Sequence, residues 1–206
     1  MNRKINTTLI SQYRNVLFGI ATIFVLLTHS SEFMWPDRLL IIPKMLQQGS
    51  MGVDIFLFLS GMGLFFSMSK GTGIGDFYKK RCMRIMPSYF LIAVPGFAIL
   101  DLIIKHAGWK QFLENVTSVS YWKNGGHELW YVPFILALYL CYPLIFKLLN
   151  SKRFHKYVYV LIAGLIVLNI ILLFQTPEFY GKWERSLSRI PVFLIGCKFA
   201  LPFHNQ

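Results

Sequence analysis

Long apolar runs separated by short polar and basic segments dominate the sequence. They occur at 15–34, 50–69, 86–104, 129–149, 157–175 and 190–204. A bilayer core takes about 20 such residues per helix. Five runs have that length, and the sixth, interrupted by Pro191 and Pro202, nearly does. The pattern predicts an all-α fold, a polytopic transmembrane helix bundle of about six spans. No internal repeat, low-complexity tract or soluble domain breaks it. The start of the chain reads as a retained first helix rather than a cleaved leader, because residues 1–14 are polar and the run after them leads into further spans.

Composition strengthens this reading. Of the 206 residues, 55% are hydrophobic and 17% aromatic, against 15% charged, more apolar side chain than a soluble core of this size can hide. The net charge of +12 raises the question of nucleic acid, but the basic residues lie between apolar runs rather than along one amphipathic stripe. That excludes a nucleic-acid surface and matches a topology signal among membrane lipids. Cys82, Cys141 and Cys197 have neither paired nor metal-like spacing, so no disulfide framework and no metal site is expected.

Basic residues also orient the chain. The N-terminus (Arg3, Lys4, Arg14), the second loop (Lys70, Lys79, Lys80, Arg81, Arg84) and the fourth loop (Lys147, Lys152, Arg153, Lys156) hold twelve, the opposite loops eight. The bias places the N-terminus of this multi-pass cell-membrane protein in the cytoplasm, and six spans return the C-terminus there.

Several polar residues stand out against that topology. His29 lies about 14 residues into the first run, roughly 21 Å from its cytoplasmic end at 1.5 Å per residue. Asp54 opens the second, antiparallel run, which puts both in the outer third of the membrane. Ionisable groups inside a span are costly unless paired or functional, and a histidine hydrogen-bonded to a carboxylate is arranged as a general base. Glu32, one turn beyond His29, is the rival partner. The plainer reading is an interfacial His29 facing water and an Asp54 that caps its helix.

A second candidate is the glycine-rich segment 71–75, followed by Lys79, Lys80, Arg81 and Arg84. Flexible backbone beside concentrated positive charge suits phosphate binding, although no P-loop is present because no Gly-Lys-Ser/Thr follows. Ordinary positive-inside anchoring accounts for the same cluster. On the external side His127, Glu128 and Trp130 open the fourth run, and Arg185 and Arg189 precede the sixth. An aromatic-belt anchor and a snorkelling arginine are the plain readings of Trp130 and Arg189. His106, His155 and His204 sit at loop edges without a visible role.

Taken in order, these segments resemble membrane acyltransferase family 3, the group that includes polysaccharide and peptidoglycan O-acetyltransferases. The matching stretches are Gly-Ile-Ala-Thr-Ile-Phe-Val-Leu-Leu-Thr-His at 19–29, Gly-Val-Asp-Ile-Phe-Leu-Phe-Leu-Ser-Gly at 52–61 and Phe-Tyr-Lys-Lys-Arg-Cys-Met-Arg-Ile-Met-Pro at 77–87. His-Glu-Leu-Trp-Tyr at 127–131 and Arg-Ile-Pro-Val-Phe-Leu-Ile-Gly at 189–196 look like later family signatures. The resemblance implies a membrane acyltransferase domain over 1–206, using acyl-CoA, most simply acetyl-CoA, as donor and a hydroxyl of an envelope carbohydrate or lipid as acceptor. It implies His29 as the catalytic histidine, oriented by Asp54 or Glu32, Arg81 and Arg84 near the donor phosphates, and Trp130 and Arg189 as substrate contacts. The family commonly has an arginine eleven positions before the histidine; here that position is Phe18, and Arg14 lies one turn earlier. Members usually have about ten spans, so this chain is expected to be incomplete relative to the family, truncated at its C-terminus.

Two readings of other kinds compete with catalysis. A transporter or flippase-like protein would use buried His and Asp to relay protons or hold substrate without covalent chemistry, but no inverted repeat is visible. A catalytically inactive truncated homologue would keep the motifs and lack the missing helices.

Overall fold

The computed structural model describes residues 7–31, 41–126, 129–151, 153 and 156–201, and every regular element among them is helical. In chain order these are α1 (Thr7–Ser30), α2 (Ile41–Gln47), α3 (Met51–Ser69), α4 (Ile74–Phe97), α5 (Gly108–Val116), α6 (Val119–Asn124), α7 (Tyr131–Asn150), α8 (Tyr157–Gln175), α9 (Pro177–Leu187) and α10 (Ile190–Phe199). A 3-10 turn, Gln48–Ser50, joins α2 to α3 without a break, and a π-helical stretch, Ala98–Ile104, prolongs α4.

Among the described residues, four stretches are long and apolar enough to cross a membrane: Ile41–Ser69, Ile74–Ile104, Tyr131–Asn150 and Tyr157–Gln175. The all-α membrane architecture expected from the sequence is therefore present, while length and composition do not reach the expected count of six. α1 is 24 residues long, but Gln12, Arg14 and Asn15 dilute its first half, and α10 has only 10 residues. Pro87, Pro95 and Pro143 lie inside helices, as spanning helices tolerate.

The third span also begins earlier than its apolar run. α4 starts at Ile74, with the Phe77 N–H donating to Gly73 O at 2.9 Å and Asp76 in the first turn, where a negative charge favours the helix N-terminus. Lys and Arg are good helix formers, so Lys79, Lys80, Arg81 and Arg84 lie on helix rather than in a loop. The connection before α3, read from the sequence as a link, likewise contains α2.

The chain divides into two compact units, Met1–Phe66 with Pro191–Gln206, and Ser67–Ile190. In the first, α3 and α10 touch backbone to backbone. A Cβ on Gly61 would stand 2.4 Å from Phe193 O, and one on Gly196 would stand 2.2 Å from Phe58 O. Small residues permit such approach in a bilayer, where water drives no association between helices. Leu57, Phe65, Phe193 and Cys197 form the buried interior of this unit.

The second unit is held by rings and a few buried polar pairs. Phe77 of α4 stacks on Tyr142 of α7 with centroids 5.7 Å apart, and the Tyr78 hydroxyl donates to Leu140 O at 2.9 Å. Tyr89, Ala93 and Phe97 pack with Phe112 and Val116 of α5. Below them Asp101 is 1% exposed and accepts from Asn115 Nδ2 at 2.7 Å, the kind of partner a buried carboxylate requires. α6 meets α9 through the buried Tyr121 hydroxyl, hydrogen-bonded to Ser186. Burial pushes the Tyr121 phenol above its ordinary range, and the Ser186 bond offsets part of that. Gly125, at φ +68°, fits where a Cβ would stand 2.7 Å from Lys182 Cβ.

Candidate active site

A ladder of contacts fixes how α1 lies against the helix 41–69. The Arg14 guanidinium lies beside Gly63, and Phe18 stacks on Phe56 with centroids 5.5 Å apart. Ala21 O faces Gly52, Phe24 O faces Gly49, and the Thr28 hydroxyl reaches Leu46 O at 3.5 Å. Rising numbers on α1 meet falling numbers on its neighbour, so the pair is antiparallel as expected.

The same ladder sets the depth of the two candidate catalytic residues. His29 is exposed in the last turn of α1, and Asp54 is half-buried in the first turn of α3. In this register His29 is level with Met45, and Asp54 with Ile20. Their backbones are therefore about 14 Å apart along the helix axis at 1.5 Å per residue, beyond direct hydrogen-bond reach. Similar depth, inferred from residue counts alone, missed this offset because α2 adds two helical turns before α3. Glu32, His127 and Glu128 lie outside the described residues. Arg14 carries its guanidinium 5.2 Å from the centre of the Phe18 ring, so a cation does occupy the space beside the position where the family has arginine.

The basic cluster resolves into two kinds of arginine. Arg81 is half-buried, with its guanidinium 5.6 Å from the Phe77 ring and 5.9 Å from the Tyr139 ring. Arg84, one turn further, is exposed, as are Lys79 and Lys80. These guanidiniums are the residues suited to hold a phosphate-bearing molecule, since the planar fork donates in pairs to phosphate oxygens. Among the described residues no group of three or more His, Cys, Asp or Glu is placed to hold a metal ion.

Trp130 and Arg189, 59 residues apart in sequence, come together: the Arg189 guanidinium lies 5.4 Å from the Trp130 ring centre, and its Nη1 donates to Arg185 O at 3.0 Å. Beside them the sequence reading missed the small helices α5, α6 and α9. Trp122 stacks on Trp183 at 6.1 Å, and Phe179 approaches Trp183 at 6.5 Å. Pro177, at the first position of α9, was the available signal, hidden because the segment is short and highly charged.

Four apolar helices of spanning length, with His29 exposed at the end of α1 and Trp130 and Arg189 half-buried in the second unit, define a membrane protein that presents polar side chains beside its apolar helices. The chain belongs to acyltransferase family 3: the model of that family, an acyltransferase domain, matches residues 15–206. No curated protein and no solved structure matches it. The protein is thus a membrane acyltransferase, an enzyme that moves an acyl group from a donor to an acceptor.

Proposed function

We propose that the enzyme transfers an acyl group, most simply acetyl, from acyl-CoA to a hydroxyl of an envelope carbohydrate or lipid. The observation that carries this reading is the family match over nearly the whole chain, with His29 exposed at the end of α1. The neutral imidazole of His29 takes the proton of the acceptor hydroxyl as its oxygen attacks the thioester carbonyl. The tetrahedral intermediate collapses, the C–S bond breaks, and coenzyme A leaves as thiolate, to be protonated in turn. Asp54 is offset from His29 by the helix register, which leaves Glu32, three residues beyond His29 in sequence, as the orienting carboxylate in this reading. Trp130 and Arg189, joined as ring and cation, offer a stacking face and hydrogen-bond donors to the acceptor.

Arg81 and Arg84 bind the donor phosphates in this reading. Conversion of both to Gln is expected to weaken acyl-CoA binding by at least about tenfold, the loss of one to two charge-assisted hydrogen bonds. Conversion of Lys147, an exposed residue at the far end of α7, should leave binding unchanged. An equal loss in both variants, in a binding assay at matched protein abundance, would reduce the arginines to topology anchors.

The N-terminus and the turn at 70–73 face the cytoplasm, as the basic-residue bias supports. Single cysteines introduced at Asn2 and at Thr72 should therefore resist an impermeant thiol reagent added to intact cells and label after permeabilisation. Ready labelling of both in intact cells would reverse the orientation.

A further inference from the structure

A cleft of about 620 Å³ runs along the contact of α4 with α7, between two of the membrane-spanning stretches. Cys82, Met86 and Phe90 line it on α4 at one-turn spacing, facing Leu136, Ala137 and Leu140 on α7. From Arg81 at one end to Phe90 near the other is about 14 Å at 1.5 Å per residue. Phe90 is 44% exposed and Leu140 68%, so the cleft opens sideways onto the bilayer. Its size is that of a ligand site rather than a packing defect.

The walls and the ends differ in chemistry. Met86, Phe90, Pro133, Leu136, Ala137 and Leu140 offer no side-chain hydrogen bond. Hydroxyls at the rims are already engaged: Tyr78 donates to Leu140 O, and Tyr89 bonds Val116 O at 3.0 Å and the Ser118 hydroxyl at 2.8 Å. Arg81 and the Trp122 indole are the exceptions, and of these Arg81 alone carries a charge. Its Nε is buried and has no hydrogen-bond partner among the described residues, an arrangement that costs stability until an acceptor arrives. Lys80 and Arg84 on the same helix keep the local field positive, with Asp76 the nearest acidic residue in sequence.

These features select among anions. The arm of acyl-CoA carries two amides between its phosphates and its acyl group, and an apolar wall would leave them unpaired at a cost of a few kcal/mol each in transfer terms. A glycerophospholipid instead carries its hydrocarbon chains close to its phosphate. We propose that the cleft between α4 and α7 binds one anionic membrane phospholipid, with its phosphate on Arg81 and one acyl chain along Met86, Phe90, Leu136 and Ala137. The site lies beyond the donor reading and meets it only at Arg81.

The native cysteines supply the test. Cys82 lines the cleft, whereas Cys141, also exposed, does not. The full chain is placed in nanodiscs of phosphatidylcholine alone or of an equal mixture with phosphatidylglycerol, and alkylation by N-ethylmaleimide is timed at both cysteines. Phosphatidylglycerol should slow Cys82 relative to Cys141 by about fivefold, as expected for a ligand present at several times its dissociation constant. Ala137→Phe, which fills the cleft, should abolish that difference between lipids, and Lys147→Gln, an exposed position outside the cleft lining, should leave it intact. A Cys82 to Cys141 ratio that is the same in both bilayers, or a lipid difference that persists in Ala137→Phe, overturns the proposal. Protection by coenzyme A in phosphatidylcholine alone, without a phosphatidylglycerol effect, gives the cleft to the donor instead. Loss of coenzyme A binding in Arg84→Gln bears on the donor reading only, so the two fail separately.

Discussion

His29→Ala is expected to lose acyl transfer by about 10²- to 10⁴-fold, the range for removal of a general base, while inserting and accumulating normally. The side chain is exposed in the last turn of α1, so truncation opens no cavity, and exposed substitutions of this kind cost little stability. Chemistry should therefore account for the loss. The measurement is acetyl released from envelope glycans in cells expressing each variant, with membrane abundance followed in parallel. Full transfer by a well-inserted His29→Ala protein would remove the proposed mechanism. Asp54→Asn should cost much less, because the α1–α3 register holds Asp54 level with Ile20. A greater loss in Asp54→Asn than in Glu32→Gln would return the orienting role to Asp54.

The second large effect concerns packing. Gly196→Ala is expected to destabilise the unit formed by α3 and α10 by about 3 kcal/mol, the upper end of the overpacking range. The added methyl would stand 2.2 Å from Phe58 O and 2.8 Å from its carbonyl carbon. Both are backbone atoms, so relief requires one helix to move. Gly164→Ala is the matched control: its Cβ would meet nothing within 4 Å, and replacing a helical glycine in open space is neutral or stabilising by up to about 1 kcal/mol. Of the two purified variants in the same detergent, only Gly196→Ala should therefore show a lowered unfolding midpoint. Coincident midpoints would show that the glycine contact of α3 with α10 does not limit stability.

Legibility of the fold followed the physics of each signal. Hydrocarbon thickness forces long apolar runs, so α3, α7 and α8 stand out unaided, and 157–175 coincides with α8. Helix ends were harder to read. Lys79 to Arg84 serve both as topology charges and as good helix formers, and only the second property determines where α4 begins. α9 was missed because its buried face, Tyr180 and Ser186, amounts to two residues among charges. The Trp130 and Arg189 pairing was visible as two isolated family signatures, while their contact depends on a chain path of nearly sixty residues. The depth of Asp54 was unreadable for a different reason. It depends on Gly49 and Gly52 allowing Ala21 and Phe24 to approach the neighbouring backbone, a steric registration that residue counting cannot supply.

The unbroken joining of α2, the 3-10 turn and α3 has one more consequence. The stretch Ile41–Ser69 has 29 residues, and Ile74–Ile104 has 31, giving rods of about 43 and 46 Å at 1.5 Å per residue. Tyr157–Gln175, with 19 residues, is only about 28 Å long by the same measure. A hydrocarbon layer of about 30 Å accommodates the last upright, whereas the first two must tilt or project into the headgroups. A bilayer of different thickness changes that compromise for the long rods more than for the short one. Bilayer thickness therefore shifts the height of Arg81, on the second long rod, relative to the headgroup phosphates.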